Sequence, residues 1–150
     1  MKTVPERGRR SLVLDTNCFV YLLEGADGSS HRRYVASLFA EAAAGRARIV
    51  TSTVCLSEVL VNVARNGTDE DITRVSSAFL NLPGLEVAPV DQRIAVGAAV
   101  LRGRTSLGLF DAIVAATGLA AGATELVTND AALARADHGL AGIYLGDVLA

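Results

Sequence analysis

The chain has 150 residues, 51% hydrophobic and 20% charged, and a net charge of −2 from 14 Lys+Arg against 16 Asp+Glu. A domain of this length buries roughly two thirds of its unfolded surface, so it can build a core without disulfides or a structural metal. The charge balance excludes a strongly basic surface but leaves room for a local basic patch, and Lys2 as sole lysine rules out P-loop, Schiff-base and kinase chemistry.

Residues 1–10 are polar and basic and read as a flexible arm ahead of a single domain over 11–150. The run S-L-V-L-D over 11–15 predicts a short buried strand. A helix follows from Thr16 to about Glu24 and stops at Gly25. Ser29 or Ser30 caps a second helix with the stripe Tyr34, Val35, Leu38, Phe39 and Ala42, and Gly45 ends it. Residues 48–51 form a second strand. Ser52 or Thr53 opens a helix carrying Leu56, Val59, Leu60 and Val63, which Asn66 and Gly67 stop. Thr68 and Asp71 make a capping box for a helix carrying Ile72, Val75 and Phe79, broken by Pro83 and Gly84. A third strand over 85–90 leads to Asp91, which caps a helix through Ile94, Ala98 and Leu101. An Ala-rich helix over about 109–121 ends at Gly122. A strand over 125–128, a short helix over 131–136 and a strand over 142–145 complete the chain. Short apolar strands alternating with helices predict an α/β fold with a mostly parallel, roughly five-stranded sheet. In such sheets ligands bind at the carboxyl ends of the strands.

Cys18 and Cys55 lie in apolar stretches and read as buried free thiols of a reducing compartment. Cys18 has no histidine near it in sequence, so it is a poor nucleophile. His31 and His138 stand far apart and make no zinc pattern; they read as surface or capping residues. Asp15 interrupts the only apolar run that could serve as a secretory signal. Residues 105–124 carry one charge but three glycines and many alanines, which suits a core helix better than a membrane span. The expectation is a cytoplasmic protein with no membrane partner.

Four carboxylates stand alone in apolar surroundings: Asp15, Glu58, Asp111 and Asp130. Asp15 ends the first strand, and Asp130 follows the fourth. The neighbours one helical turn from Glu58 are Val54, Cys55, Val61 and Asn62; those of Asp111 are Leu107, Gly108, Val114 and Ala115. Neither acid therefore belongs to a charged, solvated helix face. Asp15 and Asp130 can each be read as caps of the helices they precede, and Glu58 or Asp111 as a partly exposed edge or an arginine partner. Taken together, the four point to a shared site. Gathered carboxylates raise one another's pKa, and a hard divalent cation, Mg²⁺ or Mn²⁺, relieves both burial and repulsion.

The segments L-D-T-N at 14–17, S-E-V-L at 57–60, L-F-D-A-I-V-A-A-T at 109–117 and V-T-N-D at 127–130 occur in the order of a PIN domain. The chain resembles that family from Leu12 to Leu145, and within it the VapC-type toxins of bacterial toxin–antitoxin pairs. The resemblance implies a three-layer α/β/α fold and an endoribonuclease with Asp15, Glu58, Asp111 and Asp130 as its acidic quartet. Asp15 and Asp111 would ligate the metal directly with Asp130 beside them, and Glu58 would act through water. Thr16, Asn17, Thr128 and Asn129 would support the site. It also implies a homodimer, and a small VapB-like antitoxin that covers the active-site groove. The segment after T-N-D departs from the family, with Ala131, Ala132 and Leu133 where a charged residue and an aromatic are common.

RNA approaching an acidic centre needs cations on the rim. The candidates are Arg32, Arg33, Arg46, Arg48, Arg102 and Arg104, with Arg102 and Arg104 foremost because they stand nearest the Asp111 helix in sequence. Tyr21, Leu22 and Leu23 with Tyr34 and Phe39 could line an antitoxin groove or simply pack the core. The competing reading is a catalytically idle PIN-like RNA-binding or protein-interaction module. A phosphatase using Asp-x-Asp is disfavoured because the motif reads Asp15-Thr16-Asn17 and the supporting lysine is missing.

Overall fold

The computed structural model describes residues 8–24 and 29–148. Gly25 and the basic arm up to Arg7 lie outside the described residues. Strands β1 (Arg10–Leu14), β2 (Ala47–Ser52), β3 (Leu85–Ala88), β4 (Glu125–Thr128) and β5 (Ala141–Tyr144) form one sheet in the order β3-β2-β1-β4-β5. All four neighbouring pairs are parallel. Leu12, Val13 and Leu14 of β1 and Leu126 and Val127 of β4 are completely buried. Continuous apolar runs of this kind mark strands covered on both faces.

The chain moves outward from β1 through α1 (Thr16–Glu24) and α2 (Ser30–Ala43) to β2, then through α3 (Thr53–Asn66) and α4 (Asp69–Leu80) to β3. It crosses back to β4 through α5 (Gln92–Arg104) and α6 (Leu109–Ala120), and ends with α7 (Ala131–Arg135), β5 and α8 (Leu145–Val148). Parallel crossovers are right-handed, so this reversal of direction puts α1–α4 on one face and α5 and α6 on the other. Packing agrees in the main: α1 touches α2, α3 and α4, while α6 touches α5, β1, β2 and β4 and, across the layers, α3. The three-layer α/β/α arrangement is therefore present. On the first face Phe19 packs on Phe79 with ring centroids 4.5 Å apart and edge-on to Phe39 at 6.5 Å. Tyr21, Leu22, Leu23, Tyr34 and Phe39, weighed above as a groove, all pack against this core as partly buried residues.

The capping signals work as predicted. Ser29 caps α2, Ser52 caps α3, Asp91 caps α5, and Thr68 with Asp71 forms a complete capping box on α4. Most element ends shift by a residue or so, and three shifts have a clear cause. β1 starts at Arg10, inside the predicted arm, because its N–H bonds Arg46 O and its guanidinium grips Glu125. β3 stops at Ala88 rather than residue 90, because its partner β2 ends at Ser52, paired with Ala88. Leu145 belongs to α8, a turn too short to leave a periodic signature. No helix among the described residues is long and apolar enough to cross a membrane.

Gly118 shows how closely α6 lies on β1: an added Cβ would stand 2.5 Å from Val13 Cγ1. We expect Gly118→Ala to lose about 1–3 kcal/mol of stability although alanine is the better helix former. Denaturant unfolding at unchanged m-value checks this, and Val13→Ala in the same chain should recover part of the loss.

Candidate active site

β1 and β4 are neighbours, yet the chain leaves them in opposite directions across the sheet. At such a switch point the carboxyl ends of a parallel sheet open a crevice. Asp15 directly follows β1, and Asp130 stands two residues beyond β4. Glu58 lies in the second turn of α3, which begins where β2 ends, and Asp111 lies in the first turn of α6. All four line one cleft of about 300 Å³, together with Thr16, Asn17, Val20 and Tyr21.

Asp15 is buried, 6% exposed, and heavily bonded. Its Oδ1 accepts the Thr16 N–H at 2.8 Å, and its Oδ2 accepts the Thr128 hydroxyl at 2.7 Å and the Asn17 amide at 3.3 Å. Thr128 is fully buried, and its oxygen also accepts the Asp130 N–H at 3.0 Å and the Asn17 amide at 3.3 Å. Asn17 Oδ1 accepts the Asn129 N–H at 3.0 Å, and Asn129 Nδ2 donates to the Tyr21 hydroxyl at 2.6 Å. The Thr16 hydroxyl donates to Glu58 Oε2. Thr16, Asn17, Thr128 and Asn129 thus all touch the acids or their holders. Asp130 Oδ1 caps α7 by accepting the N–H groups of Ala132 at 2.9 Å and Leu133 at 3.2 Å. Its capping role and its place in the cleft coexist.

The electrostatics follow from burial and crowding. Burial pushes the Asp15 carboxyl up; the Thr128 and Thr16 bonds oppose this, and Glu58 and Asp130 add to it. Asp111 is pushed up to about 6, first by burial and then by Asp15, Asp130 and Glu58. Among the described residues no arginine pairs with any of the four. Also among the described residues, no three His, Cys, Asp or Glu side chains stand together as a formed metal cage.

The arginines are used elsewhere. Arg46 pairs with Glu41 and Arg48 with Glu86, at the amino end of β2 and so away from the cleft. Arg102 donates to Leu107 O and braces the turn between α5 and α6, while Arg104 is exposed at the end of α5. Neither lines the cleft. Arg32 and Arg33 stand in the first turn of α2. Cys18 and Cys55 are buried free thiols. Burial holds Cys18 well above its ordinary pKa and pushes Cys55 up to about 11, so neither is a nucleophile at neutral pH. His138 is buried between Leu133 O and the Leu140 N–H and braces the segment before β5, so it is a structural rather than a surface residue. The sequence reading of the site missed Val20, and named Tyr21 only for an antitoxin groove or core packing. The signal was present: each stands four residues beyond a cleft residue, Thr16 or Asn17, on the same face of α1.

A sequence profile of the PIN domain matches residues 12–139. The chain belongs to the PIN domain family. No curated protein matches this PIN domain by sequence. Among solved structures it is similar to VapBC2 from Rickettsia felis bound to a promoter DNA fragment, at 22% identity and TM-score 0.65, covering 87% of this chain and 96% of that one. It is also similar to DNA-bound VapBC from Salmonella typhimurium, at 21% identity and TM-score 0.63, covering 90% and 96%. A toxin–antitoxin complex from Klebsiella pneumoniae gives 21% identity and TM-score 0.63, covering 86% and 94%. At these identities the likeness is one of fold.

The raised Asp111 has a consequence for stability. A folded-state pKa of about 6 against 3.8 means that the folded state holds the extra proton between these values. Stability then falls as pH rises through that window. We expect Asp111→Asn in EDTA to melt above wild type beyond pH ~6, with a shallower decline from pH ~4 to ~6. The decline keeps some slope because Asp15 titrates in the same sense. Calorimetric melting across the pH range checks it.

Proposed function

We propose that this PIN domain is a metal-dependent endoribonuclease and the toxin of a toxin–antitoxin pair. The observation that carries the reading is the cleft at the sheet's switch point, which four carboxylates line with no arginine paired to them among the described residues. Crowding of this kind opposes folding, as the raised Asp111 registers, and an oxygen-only donor set suits a hard divalent cation. Mg²⁺ or Mn²⁺ fits that chemistry, held by Asp15, Asp111 and Asp130. When bound, such an ion offsets phosphate charge and acidifies a water for attack on phosphorus. The protein's own part is positioning. Thr128 and Thr16 fix both oxygens of Asp15, and the Thr16 hydroxyl fixes Glu58, which would take the proton released by the attacking water.

The similarity to VapBC and toxin–antitoxin complexes supports an antitoxin partner. In this proposal that partner is VapB-like and covers the cleft, and the toxin is a homodimer. Contacts from Arg102 and Arg104 to RNA phosphates would come from outside the cleft, with Arg102 already bound to Leu107 O.

Total RNA incubated with purified protein in Mn²⁺ or Mg²⁺ should be cleaved, and EDTA should stop the reaction. Asp15→Asn and Asp111→Asn should each lower the rate on the order of 10²-fold or more while remaining folded. A folded wild type that neither cleaves RNA nor binds Mn²⁺ by calorimetry would leave the PIN-like interaction module as the better reading.

A further inference from the structure

The geometry points to Tyr21 as a substrate-contacting residue, its phenol O–H set to donate to a phosphate oxygen of an RNA strand lying in the cleft. This rests on the nuclease reading and specifies how the same site grips its substrate.

Free hydrogen-bond donors are scarce in the cleft. Eight residues line the cleft. Val20 is apolar, and the four carboxylates only accept when ionised. The Thr16 hydroxyl gives its hydrogen to Glu58. The two amide hydrogens of Asn17 go to Asp15 Oδ2 and Thr128 Oγ1. Tyr21 is left. Its oxygen accepts from Asn129 Nδ2 at 2.6 Å, so its own hydrogen is not used on Asn129, and among the described residues nothing accepts it. A phosphodiester entering a cleft of carboxylates needs donors, and a hydrogen bond to a charged oxygen is roughly twice as strong as a neutral one.

Tyr21 is also held in place before any substrate arrives. Asn129, which follows β4, is itself fixed by its N–H to Asn17 Oδ1. His31 of α2 stacks on the phenol ring, with centroids 4.6 Å apart and an interplanar angle of 32°. The ring is thus pinned from α2 and the hydroxyl from the β4 end. A donor fixed in advance loses little entropy on binding.

Tyr21→Phe keeps the ring and its stacking on His31 and removes only the hydroxyl. On a single-stranded RNA cleaved by wild type in Mn²⁺, KM should rise about tenfold, with kcat changed by less than about twofold. Mn²⁺ affinity should stay at the wild-type value, and the melting temperature should fall no further than Asn129→Ala lowers it, because both variants lose the same hydrogen bond. Asn129→Ala should raise KM in the wild-type chain and add nothing in the Tyr21→Phe chain, because it acts through the phenol. A wild-type KM for Tyr21→Phe overturns this inference and leaves the nuclease reading standing. Loss of kcat together with loss of Mn²⁺ binding overturns it too, by assigning Tyr21 to the metal site. If no RNA is cleaved, fluorescence anisotropy on the same two proteins decides. Weaker RNA binding by Tyr21→Phe supports the contact while the nuclease reading fails, and equal binding overturns the contact.

Discussion

The hydroxyl of Thr128 is the joint on which the cleft depends. It lies between the carboxyl ends of two strands whose residues are 113 positions apart in sequence, and it donates to the buried Asp15 carboxylate. The same oxygen accepts from Asn17 and from the Asp130 backbone. One buried hydroxyl therefore fixes an acid on β1, a side chain on α1 and the turn that carries the next acid. A buried carboxylate left without donors would be costly. Here three bonds hold it, two from the cleft residues Thr16 and Asn17 and one from Thr128 beneath them. Satisfying Asp15 and shaping the cleft are the same act.

Charge is sorted along the strand direction. At the amino end of the sheet Arg10 pairs with Glu125, Arg46 with Glu41 and Arg48 with Glu86. At the carboxyl end four acids face one cleft, and among the described residues none has an arginine partner. The net charge of −2 conceals this polarity, because it averages a neutralised end with an acidic one. Exposed ion pairs contribute little to stability, roughly 0–1 kcal/mol each. Their placement matters more than their energy, since arginines engaged at one end do not cancel the field at the other. The acids oppose folding, as the raised Asp111 shows, and that is the cost of keeping the cleft negative.

The four acids were legible in the sequence because each interrupts an apolar run, where an uncompensated carboxylate is conspicuous. Their convergence followed from the alternation of strands and helices, which sends every strand's carboxyl end to one edge. The arginines were not legible. Arg46 and Arg48 sit near β2 in sequence, but β2 runs from its amino end at Ala47 to Ser52, so both fall on the wrong side of the sheet. Chain proximity says nothing about which end of a parallel strand a residue occupies unless its position within the strand is used. Arg102 has a local use that composition does not show: its guanidinium closes a turn onto Leu107 O. Tyr21 was read as lining an antitoxin groove or packing the core, and it does pack, since its ring rests on His31 and against the core. Its hydroxyl end was invisible until Asn129 arrived from β4, 108 residues away.

Asp130 shows why opposing structural and functional readings of one residue can be a false choice. As a cap it spends Oδ1 on two backbone N–H groups of α7. As a cleft residue it adds negative charge that raises both Asp15 and Asp111. The two roles reinforce each other. Capping fixes the carboxylate against the start of a helix, so it cannot swing away from like charges as a free exposed side chain would. The same holds at Asp15, where the bond to the first N–H of α1 and the bond to Thr128 prevent the carboxylate from relieving repulsion by turning. Bonds unrelated to the neighbours' charge keep like charges from moving apart. Strand-end hydroxyls and the Thr16 N–H hold Asp15, capping holds Asp130 and the Thr16 hydroxyl holds Glu58, so local structure that looks merely stabilising keeps three of the four acids in the cleft.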